Sequence, residues 1–275
     1  MLTLFSPVLT GEEVASLSPV STLPAAAPLP LWNENDSWEY TITMDIKGNN
    51  SEYFTITNGH LLLSVTGLNA ENYTLFFSGE IEGEGESAII GHFELLSSTM
   101  EGYLEINRFD FSLKKIHDVI VSGYAKVTPF LFIPYEITIN SLNTSDNFPL
   151  LMFPLSVGTT WYTPSTTLNV EGEISTSSYT TNIDLVNYST PLFFFNCTET
   201  TVFYVEKHGL NLLVYNVSEE LNNTVDLMYS PAVSSIVKLS CKNLPLGNYS
   251  LSLETCLTDS SYLQGNDKPV INTVS

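Results

Sequence analysis

Apolar and polar residues alternate along most of this chain, beginning near residue 38. Because successive side chains of an extended strand point to opposite faces, alternation with a period of two is typical of a half-buried β-strand. The first such segment places these apolar side chains on one face: Trp38, Tyr40, Ile42, Met44 and Ile46. Similar segments recur as far as residue 257, separated by Gly, Asn, Asp or Pro, and no apolar stripe of helical period exceeds two turns. The sequence therefore predicts an all-β chain of antiparallel strands.

Two parts of the chain begin in the same way. The segment PLPLWNENDSWEYT at residues 28–41 and the segment PLLMFPLSVGTTWYT at residues 149–163 each lead from apolar, proline-containing residues through a polar turn to a tryptophan and a tyrosine. A length of 275 residues is sufficient for two domains. We therefore predict two antiparallel β domains, sandwich or half-barrel in form, at residues 32–147 and 148–258.

The ends of the chain differ in composition from these two predicted domains. Prolines at positions 19, 24, 28 and 30 hold residues 14–31 extended and remove backbone donors. We therefore predict that residues 1–31 form an extended, apolar and proline-rich arm outside the core. Residues 259–275 are predicted to form a C-terminal tail.

Acidic residues dominate the charge of the chain. Thirty Asp and Glu stand against nine Lys and Arg, and the formal net charge is −21. No basic face is available to neutralise a phosphate backbone, so nucleic acid is excluded as a partner and an anionic membrane surface is a poor one. The charge instead favours divalent cations and basic surfaces. No window of about 18 apolar residues is present, so no transmembrane segment is predicted.

Asparagine sequons are more frequent than chance would give. Nine Asn-x-Ser/Thr sequences occur, whereas the composition alone predicts about five, and the motif acts only in secreted proteins. We therefore expect an extracellular protein that carries N-linked glycans. The candidate sites are Asn35, Asn49, Asn72, Asn143, Asn187, Asn196, Asn216, Asn222 and Asn248.

The three cysteines suggest one disulfide bond. If residues 247–250 form a four-residue hairpin loop, then Leu246 lies opposite Leu251 and Cys241 lies opposite Cys256. This register also keeps the apolar residues of the hairpin on one face. We therefore predict a bond between Cys241 and Cys256, which leaves Cys197 unpaired, either buried or covered by a glycan on Asn196.

Four alternating glutamates mark the segment SGEIEGEGES: Glu80, Glu82, Glu84 and Glu86. If the segment were extended, the four carboxylates would share a face, and calcium is the ion that such oxygen ligands would suit. The glycines at positions 83 and 85 favour the alternative, a hairpin tip with its glutamates in solvent. No other cofactor is predicted.

Signatures of catalysis are absent from the sequence. The four histidines are scattered, no G-x-S-x-G motif occurs, and the two S-x-x-K matches are expected by chance. We therefore expect that the protein is not an enzyme. A pair of carboxylates for glycoside hydrolysis depends on spatial separation, so a carbohydrate-active enzyme stays an alternative.

Two motifs resemble those of a group of archaeal proteins. The run FPLSVGTTWY at residues 153–162 and the run MYSPAVSSIVKL at residues 228–239 resemble secreted or cell-surface all-β proteins of archaea with unassigned activity. The resemblance covers mainly residues 148–257. It implies placement at the cell surface and implies no catalytic residue. Some archaeal extracellular filaments consist of glycosylated β subunits that exchange a terminal strand.

The beginning of the chain is suitable for such an exchange. Its apolar side chains fall on both faces of an extended segment: Leu2, Leu4, Phe5, Val8 and Leu9. The alternative is that these residues are the remnant of a secretion signal. We therefore expect a structural subunit of a glycosylated extracellular assembly, a filament or sheath, whose partners are copies of itself. A secreted binding module for a lipid or glycan is the first alternative, and an apolar concavity lined by Phe and Leu would favour it.

Overall fold

The computed structural model describes residues 26–48, 52–87, 91–177, 179–222, 224–246 and 249–263, without the side chains of residues 145–147 and 183–188. These residues form fourteen β-strands and one short 3₁₀ helix, Glu206–His208. The strands are β1 Ser37–Gly48, β2 Tyr53–Leu68, β3 Asn72–Ser87, β4 Gly91–Asn107, β5 Ser112–Thr128, β6 Leu131–Pro149, β7 Thr160–Thr163, β8 Thr167–Thr176, β9 Thr180–Ser189, β10 Phe193–Val205, β11 Leu210–Glu219, β12 Val225–Ser230, β13 Ser235–Leu246 and β14 Tyr249–Ser260.

All fourteen strands belong to one antiparallel sheet, in the order β7-β10-β11-β12-β13-β14-β1-β2-β3-β4-β5-β6-β8-β9. The prediction of an all-β, antiparallel chain is therefore confirmed. The sheet does not divide at residue 147, because that position lies inside β6. In addition, β14 pairs with β1 from Trp38 opposite Ser260 to Gly48 opposite Tyr249. Strands from residues 148–258 thus flank those from residues 32–147 on both sides, and the two predicted domains share one sheet.

A three-residue connection shows that the sheet curls. In the strand order β7 and β8 are separated by twelve inter-strand steps, which in a flat sheet would place them more than about 50 Å apart. Residues 164–166 alone connect them, and such a connection spans at most about 14 Å. The two ends of the sheet must therefore approach each other. At this corner the Thr163 hydroxyl donates to the Pro149 carbonyl at 2.6 Å, and the Thr190 N–H donates to the Thr166 carbonyl at 2.9 Å.

The curl gives the sheet an inner face, which two large clusters fill. One cluster lies on β10–β13 beneath residues 150–159, the connection between β6 and β7. Ala27 joins this cluster: it is fully buried and exchanges two backbone hydrogen bonds with Leu155, at 2.7 and 2.9 Å. The prediction that all of residues 1–31 stay outside the core is therefore wrong for Ala27.

The second cluster closes one end of the curled sheet with aromatic side chains. The rings of Trp32 and Trp38 lie 4.9 Å apart, and Trp32 also contacts Tyr73 and Phe111. Each indole N–H is satisfied, because Trp32 donates to the Ser234 carbonyl and Trp38 to the Val233 carbonyl, both at 2.8 Å. Buried tryptophans usually find such a partner for the indole N–H.

Glycines allow the close approach of β2 and β3. A Cβ atom on Gly83 would lie 2.0 Å from the Thr55 carbonyl oxygen, and one on Gly79 would lie 2.1 Å from the His60 oxygen. A β-bulge between Ile56 and Asn58 in this pairing increases the local twist. The sharp coiling of the sheet therefore requires glycine, which has no side chain, at these positions.

We predict that Gly83→Ala lowers the free energy of unfolding by about 1–3 kcal/mol, because the added methyl group displaces a neighbouring backbone. Gly67→Ala is the matched control, since its Cβ would lie 3.6 Å from the nearest atom, an ordinary contact. Urea denaturation followed by tryptophan fluorescence measures both. Equal stabilities of the two variants would contradict the close approach.

Candidate ligand-binding face

A third apolar cluster lies on the inner face, towards the β5–β6 turn. Three of its residues are buried: Ile56, Ile81 and Leu95. Six more pack against them while staying partly exposed: Met44, Phe54, Phe93, Met100, Val121 and Tyr135. We call these nine residues the inner apolar surface.

The strand register explains why these side chains meet. Directly paired residues of neighbouring strands point to the same face. One row of the sheet joins Met44, Ile56, Gly83, Leu95 and Ala125 across β1–β5. A second row joins Met100, Val121, Ile137 and Ile174 across β4, β5, β6 and β8. The alternation in each separate strand thus becomes a continuous apolar surface.

This surface is covered less completely than the rest of the inner face. Each of the two large clusters contains twelve buried residues, whereas the third contains three. Farther along the same face, the apolar residues of β6 and β8 are also half-buried: Ile137, Ile139, Val170 and Ile174. Within the described ranges, the connection between β6 and β7 packs against the first cluster and contributes no residue to the third. An apolar concavity is therefore left partly open.

One polar pair lies within the inner apolar surface. The Tyr135 hydroxyl donates to the Ser98 hydroxyl oxygen at 2.7 Å, and Ser98 is almost fully buried. Burial raises the pKa of the Tyr135 hydroxyl, while its hydrogen bond to Ser98 offsets part of that rise. The phenol therefore stays protonated at neutral pH and offers one hydrogen-bonding group to a ligand.

Two depressions lie against polar side chains of the opposite, outer face. One, of about 720 Å³, is lined by residues of β1, β2, β13 and β14 that include Asp45, Thr55 and Ser252. The other, of about 590 Å³, includes His60 and Glu101 from β2 and β4. These polar side chains lie on the face opposite to the inner apolar surface.

The four alternating glutamates do not form a hairpin tip. Glu80, Glu82, Glu84 and Glu86 all lie within β3, which continues to Ser87, so the hairpin-tip prediction is wrong. They stand on the outer face, where Asn58 donates to the Glu82 carboxylate at 3.4 Å. In the part of the chain that the structure describes, no group of three or more His, Cys, Asp or Glu side chains is arranged to hold a metal ion.

The predicted disulfide bond is not formed, and all three cysteines are free. Tyr249 and Ser250, assigned to the loop in the prediction, are paired with Leu246 and Pro245, and a bulge follows Cys241. Cys256 consequently lies opposite Lys238, three residues from Cys241 on the same strand. Three residues of a strand cover about 10 Å, which exceeds the Cα separation of about 7 Å that a disulfide allows.

The candidate glycosylation sites differ in accessibility. Asn35, Asn143 and Asn222 are exposed, and Asn72, Asn196 and Asn216 are half-buried. The Asn196 amide donates to Glu220 at 2.6 Å and the Asn216 amide donates to Glu199 at 3.2 Å. Asn49, Asn248 and the side chain of Asn187 lie outside the described residues, as do the proposed exchange residues Leu2, Leu4, Phe5, Val8 and Leu9.

Sequence reasoning missed three buried carboxylates, Asp36, Glu219 and Asp259, and the last two bind loops. Glu219 is fully buried and accepts backbone N–H groups of the loop that follows β11, from Leu221 at 2.9 Å and from Asn222 at 2.9 Å. Asp259 is also buried; it bonds the His208 ring at 2.7 Å and pairs with Lys207, and so ties the β10–β11 turn to β14. Both hold loops in place. No local sequence pattern predicts the role of Asp259, because its partners His208 and Lys207 are 51 and 52 residues away.

Comparisons with known proteins give one structural likeness. The sequence matches no protein-family model, and no curated protein matches it. The fold is similar to the crystal structure of a beta-barrel-like protein of domain of unknown function DUF1849 from Brucella abortus, with a TM-score of 0.35 and 8% identity over 82% of this chain and 97% of that one. Among the described residues, no helix is long and apolar enough to cross a membrane.

We predict that non-reducing peptide mapping recovers all three cysteines unlinked. Burial raises the thiol pKa of Cys197 and of Cys241 to about 11, so the reactive thiolate is scarce at neutral pH. Alkylation should therefore be slow in the native protein and should reach three thiols per chain after denaturation. Recovery of a peptide that joins Cys241 to Cys256 would contradict the observed register.

Proposed function

We propose that this protein is an extracellular binding module that accepts an apolar, lipid-like ligand on its inner apolar surface. The observation that carries the proposal is the partial exposure of Phe54, Phe93 and Met100 on a concave, apolar face. Leaving such side chains in water is unfavourable by about 25 cal/mol for each Å² of apolar area. A ligand that covered them would recover that free energy.

The chemistry of this surface suggests what kind of ligand fits. None of its nine residues is charged, so a charged group bound there would lose its hydration without compensation. Two methionines, Met44 and Met100, have flexible side chains that adapt to irregular apolar shapes. The Tyr135 hydroxyl supplies a single polar contact. These features favour an uncharged hydrocarbon chain over a glycan, which needs many hydrogen-bonding partners.

An uncharged fluorescent probe tests the proposal directly. We expect N-phenyl-1-naphthylamine to bind the wild-type protein saturably, with enhanced emission. Val121→Glu places a carboxylate on the inner apolar surface and should weaken the binding by about tenfold or more. Fluorescence titration measures the dissociation constant.

Ile120→Glu is the matched control, because Ile120 is the next residue on β5, is exposed and points to the opposite face. It adds the same charge to the same strand and should leave probe binding unchanged. Equal weakening by both substitutions, or the absence of saturable binding by the wild type, would contradict an inner ligand site.

A second candidate function is the structural subunit, and the free edge of the sheet favours it. Among the described strands, β9 pairs with β8 alone and so presents one edge ten residues long. Unpaired backbone groups along such an edge can pair with an added strand from another copy. The apolar residues near the start of the chain, such as Leu4 and Phe5, are suitable for that addition.

We expect that native protein forms filaments or sheets visible by negative-stain electron microscopy if this second function is correct. Deleting residues 1–12 should then abolish the assemblies, because the exchanged strand is lost. Monodisperse particles from the full chain would contradict the assembly function and leave the ligand proposal untouched.

A further inference from the structure

The turn between β5 and β6 presents an unusual group of apolar side chains to solvent. Phe130 is 94% exposed at the turn, and Leu131 and Phe132 follow it, each about half exposed. Tyr124 lies on the outer face of β5 and is also exposed. We call Tyr124, Phe130, Leu131 and Phe132 the apolar tip.

The tip lies in a stretch without charge. Residues 127–135 contain no Asp, Glu, Lys or Arg. The neighbouring Lys126 donates to the Glu94 carboxylate at 2.7 Å, and this hydrogen bond lowers the pKa of Glu94. The nearest cation is therefore already paired, so the tip carries no free positive group that would attract phosphates.

The shape of the tip restricts what can cover it. A side chain exposed at the end of a hairpin is accessible from nearly all sides, so its burial requires surroundings that can close around it. Backbone pairing is not the means, because β5 and β6 already pair with each other up to Thr128 opposite Leu131. Pro129 and Pro134 additionally lack the N–H groups that an added strand would use.

We propose that the apolar tip inserts into the surface of a neutral or zwitterionic lipid membrane. Fluid lipid surrounds an inserted aromatic side chain, and aromatic residues are favoured at the membrane–water boundary. The net charge of −21 repels both an anionic surface and a second copy of the chain. This interaction goes beyond the proposed ligand binding, because no residue of the tip belongs to the inner apolar surface.

Vesicle flotation tests the insertion. The wild-type protein should float with vesicles of phosphatidylcholine, and the double variant Phe130→Ser/Phe132→Ser should lower the bound fraction by about tenfold or more. Phe109→Ser is the matched control, since Phe109 is 71% exposed at the turn on the other end of β5. It should float like the wild type.

Replacing part of the phosphatidylcholine by phosphatidylglycerol should weaken flotation, and added salt should restore it, because repulsion between like charges is screened. No flotation of the wild type, or equal flotation of the double variant, would overturn the proposal. If the wild type instead dimerises in light scattering and the double variant does not, a second copy is the partner and the proposal is also overturned.

The two proposals fail separately. Val121→Glu should lose the naphthylamine probe and still float, whereas Phe130→Ser/Phe132→Ser should keep the probe and not float. Circular dichroism melts of each variant show whether its fold is intact. Probe binding that stays intact in the double variant also shows that a loss of flotation is not due to unfolding.

Discussion

The short connection between β7 and β8 determines the form of the whole molecule. Because three residues join strands near opposite ends of a fourteen-stranded sheet, the sheet has to curl until its ends approach each other. The curl turns one face of every strand inward, where apolar side chains from distant strands meet. Coiling this sharp requires glycines such as Gly79 and Gly83, whose replacement would place a side chain on a neighbouring backbone.

The inner face is filled unevenly, and this unevenness is the basis of the proposed function. Near Trp32 and Trp38, large rings and the turn after β12 close one end of the curl. Towards the β5–β6 turn, glycines and methionines replace those rings, so Phe54 and Phe93 keep part of their surface exposed. The packed side chains at the filled end can supply most of the stability of the fold. The apolar side chains at the other end are then available for a ligand.

Charge differs between the outer face of the sheet and the inner apolar surface. The alternating glutamates of β3 stand on the outer face, while none of the nine residues of the inner apolar surface is charged. The net charge of −21 opposes association between copies of the protein. In the two proposals, short-range apolar contacts at the inner apolar surface and at the apolar tip are the means of recognising an uncharged lipid.

The period-two alternation by itself determined the all-β class, because the direction of a side chain in a strand follows from its position alone. It also placed Met44 on the same apolar face as Trp38 and Tyr40. The alternation did not determine register or strand order: Cys241 lies opposite Leu253 because Leu246 pairs with Tyr249 and a bulge follows Cys241. Only the tertiary structure decided that β14 pairs with β1 and that β10 pairs with β7. Such pairings depend on contacts between residues far apart in the chain, whereas the alternation is local.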